Sequence, residues 1–321
     1  MKIKPILLAA ACAATLGQAL AGGEGWTHDF AAAKKQAAEE DKSLLIDFTG
    51  SDWCGWCIKL NEEVFQHDPF KEGVKDKFVL VELDFLRDKS KLSEETQKQN
   101  EELQSEYGIK GFPTILLTDA EGKPFARTGY QQGGPEKYVK HLDELLEARK
   151  TRDEAFAKAE KSEGVDKAKA LVEALNAMGL EDEMVASFYG DTIETIKAAD
   201  PEDETGFVKQ IEMKQKFGKF ESELNNFARA RDHEKALAHV DETLASGEFE
   251  GEQKQQVALY KGMILAQQQE FDAALKAMDE AKEIAPDSEL AGRIEDFKGR
   301  ISQMQAQVEA SKADEKGDSD E

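Results

Sequence analysis

Two cysteines separated by two residues, Cys54 and Cys57, constrain this chain more than any other feature. They follow an apolar run at residues 43–49, which predicts a buried strand, and they open a stretch of helical spacing at residues 54–66. A bridge between such close cysteines closes a very small loop and therefore stabilises a fold only slightly. The pair points to thiol chemistry at the start of a helix and not to a structural staple.

Thiol chemistry needs a thiolate, and a helix N-terminus favours the thiolate because its backbone N–H groups carry partial positive charge. We expect Cys54 to be exposed there as the nucleophile, and Cys57, one turn later, to resolve the mixed disulfide. Trp53 and Trp56 are expected to shape the surface that a substrate approaches, and Gly55 is expected to allow the tight turn.

Two alternatives for the pair are a zinc site and a pair of inert buried thiols. A structural zinc site uses four ligands, whereas the sequence offers these two cysteines and His67 as the nearest histidine. Inert buried cysteines usually occur singly as small apolar residues. The sequence therefore predicts no metal. The remaining histidines have no ligand spacing and are interpreted as structural or surface residues: His28, His141, His233 and His239.

Up to about residue 150 the chain alternates helical and strand-like segments, which predicts an α/β domain. Strands are predicted at residues 43–49, 78–85, 114–118 and 125–127, and helices at residues 27–41, 54–66, 93–107 and from 135 onward. From residue 151 to 310 the strand-like runs disappear, and residues with high helix propensity dominate. This change predicts a second, all-α domain.

Helices predicted at residues 253–268 and 271–284 carry small residues at positions that let an antiparallel pair approach closely. The pair resembles one tetratricopeptide repeat, and residues 234–244 resemble part of a poorer copy. An irregular helical bundle is the alternative. Residues 311–321 are polar and acidic, which predicts a disordered tail.

The first 21 residues have the pattern of an export signal. Lys2 and Lys4 precede an apolar run, which ends in a small residue pattern typical of signal cleavage. Lipid attachment at Cys12 is an alternative, but alanines stand where a bulky aliphatic residue is expected before it. We therefore expect a periplasmic or secreted protein, in a compartment where disulfides persist. No later run approaches the ~20 apolar residues of a membrane span.

The chain carries a formal net charge of −24. Binding to nucleic acid through phosphates needs a basic face, so this composition excludes that class of partner. Solubility is the simplest reason for such acidity, and an acidic face for basic partners is the alternative.

Residues 44–60, which include the cysteine pair, and residues 111–114, just before the third predicted strand, resemble the thioredoxin family. The resemblance implies a thioredoxin-like α/β domain at residues 22–150 that exchanges disulfides with protein substrates and needs no bound cofactor. It implies a cis bond before Pro113, with that proline packed against the disulfide and Phe112 facing the substrate. A cis X–Pro bond normally marks a constrained site.

Two carboxylates are candidates for proton transfer. The resemblance implies that Asp47 lies buried beneath the disulfide and helps to move the proton of the resolving thiol. Burial raises a carboxyl pKa, which suits proton transfer near neutral pH. Glu82, on a neighbouring predicted strand, is the second candidate, and a solvated position is its alternative.

The residues between the cysteines are Gly-Trp, whereas thioredoxin has Gly-Pro and isomerases often have Gly-His. A tryptophan cannot stabilise the thiolate by charge as a histidine would, which favours a reductant or a general oxidoreductase over a strong oxidant. The sequence thus predicts an exported thiol–disulfide oxidoreductase with an unidentified redox partner and a helical domain that binds protein. The alternative is an interaction scaffold whose thioredoxin-like domain is redox-idle.

Overall fold

The computed structural model describes residues 25–318, with side chains up to residue 311. The predicted export signal at residues 1–21, with Cys12, lies outside the described residues. The chain divides into two compact units, the first ending at Gly206 and the second beginning at Phe207. Within the described part, no helix is long and apolar enough to cross a lipid bilayer.

A five-stranded mixed sheet forms the centre of the first unit, and its strands follow the spatial order β1-β3-β2-β4-β5. The strands are β1 (Trp26–Thr27), β2 (Ser43–Thr49), β3 (Phe78–Asp84), β4 (Thr114–Thr118) and β5 (Pro124–Thr128). The β1, β3 and β2 strands run parallel, whereas β4 is antiparallel to both β2 and β5. All residues of β2, β3 and β4 are buried, as is typical of a sheet covered on both faces.

Seven helices accompany this sheet in the described part of the first unit. They are α1 (Phe30–Glu40), α2 (Gly55–Leu60), α3 (Asp68–Val74), α4 (Glu94–Glu106), α5 (Gly134–Glu160), α6 (Gly164–Ala177) and α7 (Asp182–Ala199). A π-helical turn at Asn61–Phe65 continues α2, and a short 3₁₀ turn lies at Lys89–Lys91. The architecture confirms the predicted thioredoxin-like α/β domain followed by a helical region.

Most predicted elements of the first unit have the expected type, but two short ones were missed. The strands β2 and β4 have the predicted bounds. The first helix begins at Phe30 and not near Thr27, because the Asp29 carboxylate accepts a hydrogen bond from the Ala32 amide at 2.9 Å. The missed β1 has two residues, too few to show a period, and the missed α3 has seven.

The first unit extends beyond the domain boundary expected at residue 150. That position lies inside α5, which continues to Glu160, and α6 and α7 follow in the same unit. Met184 of α7 is buried in the cluster of apolar residues that includes β2 and β3, and Phe188 stacks on Tyr107 with ring centroids 4.9 Å apart. Side chains after residue 150 therefore complete the core of the unit.

A buried polar cluster also joins α5 and α7 to the β4–β5 hairpin. Tyr189 donates its hydroxyl proton to the Pro124 carbonyl at 2.8 Å, and Arg152 Nη1 donates to the Tyr189 oxygen at 3.1 Å. The Arg152 guanidinium lies 3.8 Å from the Asp119 carboxylate. Each buried polar group of the cluster thus has a partner, as buried polar groups require.

In its described residues the second unit consists of helices and the short segments that connect them. Its helices are α8 (Phe207–Ala230), α9 (His233–Ser246), α10 (Gly251–Gln267), α11 (Phe271–Ile284) and α12 (Glu289–Asp318). The predicted antiparallel pair corresponds to α10 and α11, where Gly262 allows the close approach: a Cβ at that position would lie 2.6 Å from Met278 Cγ. The tetratricopeptide-like repeat itself stays a prediction.

The C-terminal segment differs from the expected disordered tail. The structure continues α12 as far as Asp318, so residues 311–318 are helical, and residues 319–321 lie outside the described part. Alanine, lysine and glutamate in this segment have high helix propensity, and extending an existing helix needs no new nucleus.

Candidate active site

Cys54 and Cys57 form a disulfide at the N-terminus of α2, with their Cα atoms 5.2 Å apart. Strand β2 ends at Thr49, and a tight turn follows in which the amides of Trp53 and Cys54 both donate to the Gly50 carbonyl, at 3.1 and 2.8 Å. Cys54 has extended backbone angles and occupies the N-cap position, where its sulfur accepts a hydrogen bond from the Cys57 amide at 3.2 Å. The sulfur therefore faces the end of the helix that stabilises a thiolate.

Both cysteines are buried in this disulfide form. Cys54 is 7% exposed and Cys57 is 4% exposed, so the expectation of an exposed Cys54 is wrong here. The Cys54 sulfur is bonded to Cys57 and lies against the helix N-terminus, which leaves little of it facing solvent. The side chains beside the pair are open instead: Trp53 is 39% exposed and Trp56 is 58% exposed.

The structure brings Trp53 together with Phe112, although the two are distant in sequence. Their ring centroids lie 5.8 Å apart in an edge-to-face arrangement, and the Trp53 indole N–H donates to the Phe85 carbonyl at 2.7 Å. The Phe112–Pro113 peptide bond is cis, as the family resemblance implied. Two of the predicted substrate-facing residues thus share one surface beside the disulfide.

The glycine that matters for the turn is Gly50 and not Gly55. Gly55 begins α2 without a left-handed φ, and a Cβ there would meet no other part of the chain within 4 Å, so the predicted requirement for glycine at this position is wrong. A Cβ at Gly50 would lie 2.5 Å from the Trp53 ring, so a glycine lets that indole fold back over the turn.

A second aromatic contact lies on the other side of the pair and was missed by the sequence analysis. Trp56 and Tyr130 have ring centroids 5.2 Å apart, and the Lys59 ammonium lies about equally close to both rings, at 5.2 and 5.1 Å. The Tyr130 hydroxyl donates to Glu63 at 2.5 Å. We call Trp56, Tyr130 and Lys59 the aromatic shelf. Tyr130 follows β5, far from the cysteines in sequence, and no local pattern marks it.

Asp47 and Glu82 lie side by side below the cysteine pair. They are register partners on the parallel strands β2 and β3, and both are almost fully buried, at 5% and 3% exposed. Both line one cavity together with Cys57. The solvated position considered for Glu82 is therefore wrong, and the two predicted proton-transfer candidates lie beside the resolving cysteine.

Burial raises the pKa of the Asp47 carboxyl well above its ordinary value of 3.8, and the negative charges of Glu82 and then Asp84 raise this pKa further. The Asp47 Oδ1 atom is buried without a hydrogen-bond partner among the described residues. A carboxyl group in this setting binds a proton more tightly than an exposed carboxyl does, which suits a proton-transfer group.

Asp84 is a further acidic residue of the site that the sequence analysis did not single out. It is 3% exposed, and its carboxylate accepts hydrogen bonds from the Ser51 amide, at 2.9 Å, and from the Ser51 hydroxyl. Asp84 thereby holds the turn that leads to Cys54. Acids at positions 82 and 84 of an otherwise apolar strand were the signal that could have revealed it.

Comparisons with known proteins agree with this geometry. Residues 30–146 match the thioredoxin-like domain family. The chain is 38% identical over 120 residues to the disulfide bond reductase DsbH of Chlamydia pneumoniae, covering 37% of this chain and 72% of that protein. It is 34% identical over 104 residues to the thioredoxin-related protein DsbJ of the same organism, covering 32% of this chain but only 30% of DsbJ.

Among solved structures, a DsbH oxidoreductase aligns at 31% identity with a TM-score of 0.37, covering 45% of this chain and 95% of that one. The family match spans the sheet and the cysteine pair, and the similarity to DsbH covers most of that relative's length. The chain therefore belongs to the thioredoxin-like family of disulfide oxidoreductases.

Proposed function

We propose that this protein is an exported thiol–disulfide oxidoreductase that reduces disulfides of protein substrates through Cys54 and Cys57. The observation that carries the proposal is the disulfide itself, which lies at a helix N-terminus and is flanked by exposed indoles. The two cysteines store the two electrons of the reaction, so no further cofactor is needed.

The reaction begins with the reduced pair. The Cys54 thiolate attacks a substrate disulfide, one substrate thiolate leaves, and a mixed disulfide forms. The Cys57 thiol then loses its proton, attacks the Cys54 sulfur and releases the second substrate thiolate, so that the substrate gains two electrons and the pair becomes the disulfide. A thiol reductant must restore the dithiol, and that redox partner is the protein's second class of ligand.

Asp47 is the group that takes the proton of Cys57 in this scheme. It lines the same cavity as that cysteine, and its raised pKa makes it a stronger proton acceptor than an exposed carboxylate. Glu82 supports Asp47 as the adjacent register partner. Trp53, Trp56, Phe112 and Pro113 form the surface where a substrate polypeptide would bind.

Electrons would flow from the protein to its substrates, and the protein would act outside the cytoplasm. The relative DsbH is named a disulfide bond reductase, and the Gly-Trp pair between the cysteines offers no positive charge to favour oxidation. The leader pattern at residues 1–21 supports export to the periplasm or outside the cell, with lipid attachment at Cys12 as the alternative. The helical second unit would bind a partner protein, as repeat surfaces do.

Reduction of insulin by dithiothreitol, followed as turbidity, tests the proposal with the full chain. The wild-type protein should accelerate this reduction, and we expect Cys54→Ser to abolish the acceleration. Cys57→Ser should accumulate mixed disulfides through Cys54, visible on non-reducing gels of a periplasmic extract. Asp191→Asn, an exposed change on α7, serves as the matched control. Equal insulin reduction by wild type and Cys54→Ser would leave the redox-idle scaffold as the better description.

A further inference from the structure

Three neighbouring strands place an additional residue, His28, in line with the two buried carboxylates. In the register of β1 and β3, Thr27 lies opposite Val81, so the next residue, His28, comes beside Glu82. Glu82 in turn lies opposite Asp47 on β2. A row of three titratable side chains therefore crosses the sheet from its edge strand toward the cavity at Cys57.

His28 contacts Glu82 through both its backbone and its carboxylate. The Nδ1 atom of His28 lies 2.9 Å from the Glu82 carbonyl oxygen, which can only accept, so this nitrogen carries a proton. The same nitrogen lies 3.7 Å from Glu82 Oε2. The His28 side chain is 22% exposed and that of Glu82 is 4% exposed, so the contact joins a partly exposed imidazole to a buried carboxylate.

The charges around this row are mainly negative. The groups that face the carboxylate pair are Asp84 from β3, Glu62 from the π-helical turn and Tyr138 from α5, while α4 contributes the neutral amides of Gln99 and Asn100. The described lining of the cavity contains no lysine or arginine. Buried carboxylates are costly unless a positive charge or hydrogen bonds compensate them, and a protonated His28 can supply such a charge.

We propose that His28, in its protonated form, is the counter-cation of the Asp47–Glu82 pair and sets the pH at which that pair takes the proton of Cys57. His28 is a positioning residue, because it touches Glu82 and not the sulfur atoms. The inference rests on the proposed function, since it assigns a regulator to the proton-transfer step of that reaction. A positive charge beside Glu82 lowers the proton affinity of the coupled carboxylates, so the pair becomes ionised, and able to accept a proton, at lower pH.

The rate of the resolving step, in which Cys57 attacks the mixed disulfide, reports this effect directly. Reduced full-length protein is mixed with dithiobis(nitrobenzoate), an aryl disulfide whose thiolate product absorbs visible light. The Cys54 thiolate releases the first aryl thiolate and forms the mixed disulfide; Cys57 then transfers its proton to the carboxylate pair, attacks Cys54 and releases the second. The slow phase, followed across a pH series, reports the deprotonation of Cys57.

Two replacements of His28 separate charge from structure. In His28→Asn the amide nitrogen can still donate to the Glu82 carbonyl but carries no charge, and we expect the pH midpoint of the second phase to rise by about one unit. Below the midpoint this shift slows the phase about tenfold, while the first phase stays within about twofold. In His28→Lys the positive charge is kept, and we expect the midpoint to stay at or below that of wild type.

His67→Asn is the matched control, because His67 also contacts a backbone carbonyl, that of Glu62, at 2.9 Å; its profile should equal that of wild type. Overlapping profiles for wild type and His28→Asn would overturn the proposal, and so would equal shifts in the Asn and Lys variants. If Cys57→Ser still showed a second phase at the wild-type rate, that result would instead refute the proposed function itself. The two failures are therefore distinguishable.

Discussion

Asp47 and Glu82 lie opposite each other on adjacent parallel strands, so two carboxyl groups share the cavity beside Cys57. Like charges placed this close cannot both ionise cheaply, and one carboxyl therefore keeps its proton to a higher pH. The fold thus places a carboxyl with a raised pKa next to the resolving sulfur, at a cost in stability that can be measured.

The first prediction concerns this cost. Because the folded-state pKa of Asp47 is raised above its ordinary value of 3.8, stability is lost as the pH rises through the folded pKa. Asp47→Asn removes the ionisation, so its melting temperature should exceed that of wild type by an amount that grows with pH and disappears under acidic conditions. Calorimetry of the oxidised full chain across a pH series measures this. The exposed Asp191→Asn should show a difference from wild type that does not vary with pH.

The second prediction concerns the aromatic shelf. Trp56 is 58% exposed and rests on Tyr130, so it offers a large apolar face beside the disulfide. If a polypeptide substrate covers this face, Trp56→Ala should lower kcat/KM for insulin about tenfold, a loss typical of one aromatic contact. Reduction of a small aryl disulfide should change less than about twofold, since such a substrate does not span the shelf. A parallel loss with both substrates would contradict this role.

The third prediction concerns the buried polar cluster between α5, α7 and the β4–β5 hairpin. Tyr189→Phe deletes the hydroxyl that joins the Pro124 carbonyl to Arg152 and leaves both without that partner. The free energy of unfolding of the first unit should fall by about 1–3 kcal/mol, measured by urea unfolding with tryptophan fluorescence. Tyr130→Phe removes a hydroxyl at the surface and should cost less than about 0.5 kcal/mol.

The fourth prediction concerns the close approach of α10 and α11. In Gly262→Ala the new methyl group would meet Met278 Cγ at 2.6 Å and the Ala274 carbonyl at 3.2 Å, so it overpacks the helix pair. The expected cost of about 1–3 kcal/mol exceeds the gain of about 1 kcal/mol in helix propensity. Gly218→Ala, on α8, meets nothing within 4 Å and should instead stabilise the second unit. Denaturant unfolding followed by the circular dichroism of the helices measures the free energy of unfolding of the two variants and of wild type.

Local patterns in the sequence predicted the parts of the fold that depend on local signals. The run at residues 43–49 is apolar and short, and it became β2 with those bounds. The cysteine pair, its place at a helix start and the cis bond before Pro113 followed from residues that stand close together or match a known motif.

What the sequence did not reveal depends on contacts between distant segments. Tyr130 joins the site only because β5 ends near α2, and His28 only because a two-residue strand places it beside Glu82. The burial of Glu82 depends on its register with Asp47, which no single strand encodes. The role of Gly50 required the position of the Trp53 ring, which is set by its bond to Phe85.

The uninterrupted course of α5 from Gly134 to Glu160 has a practical meaning for dissecting this protein. The family match stops at residue 146, in the middle of that helix. A chain trimmed there would lose Arg152, Met184 and Phe188, and would open the face of Tyr107 that Phe188 covers. Trimming the chain at the end of the family match would therefore cut through α5 and remove part of the core, whereas a piece that ends at Gly206 keeps the whole compact unit.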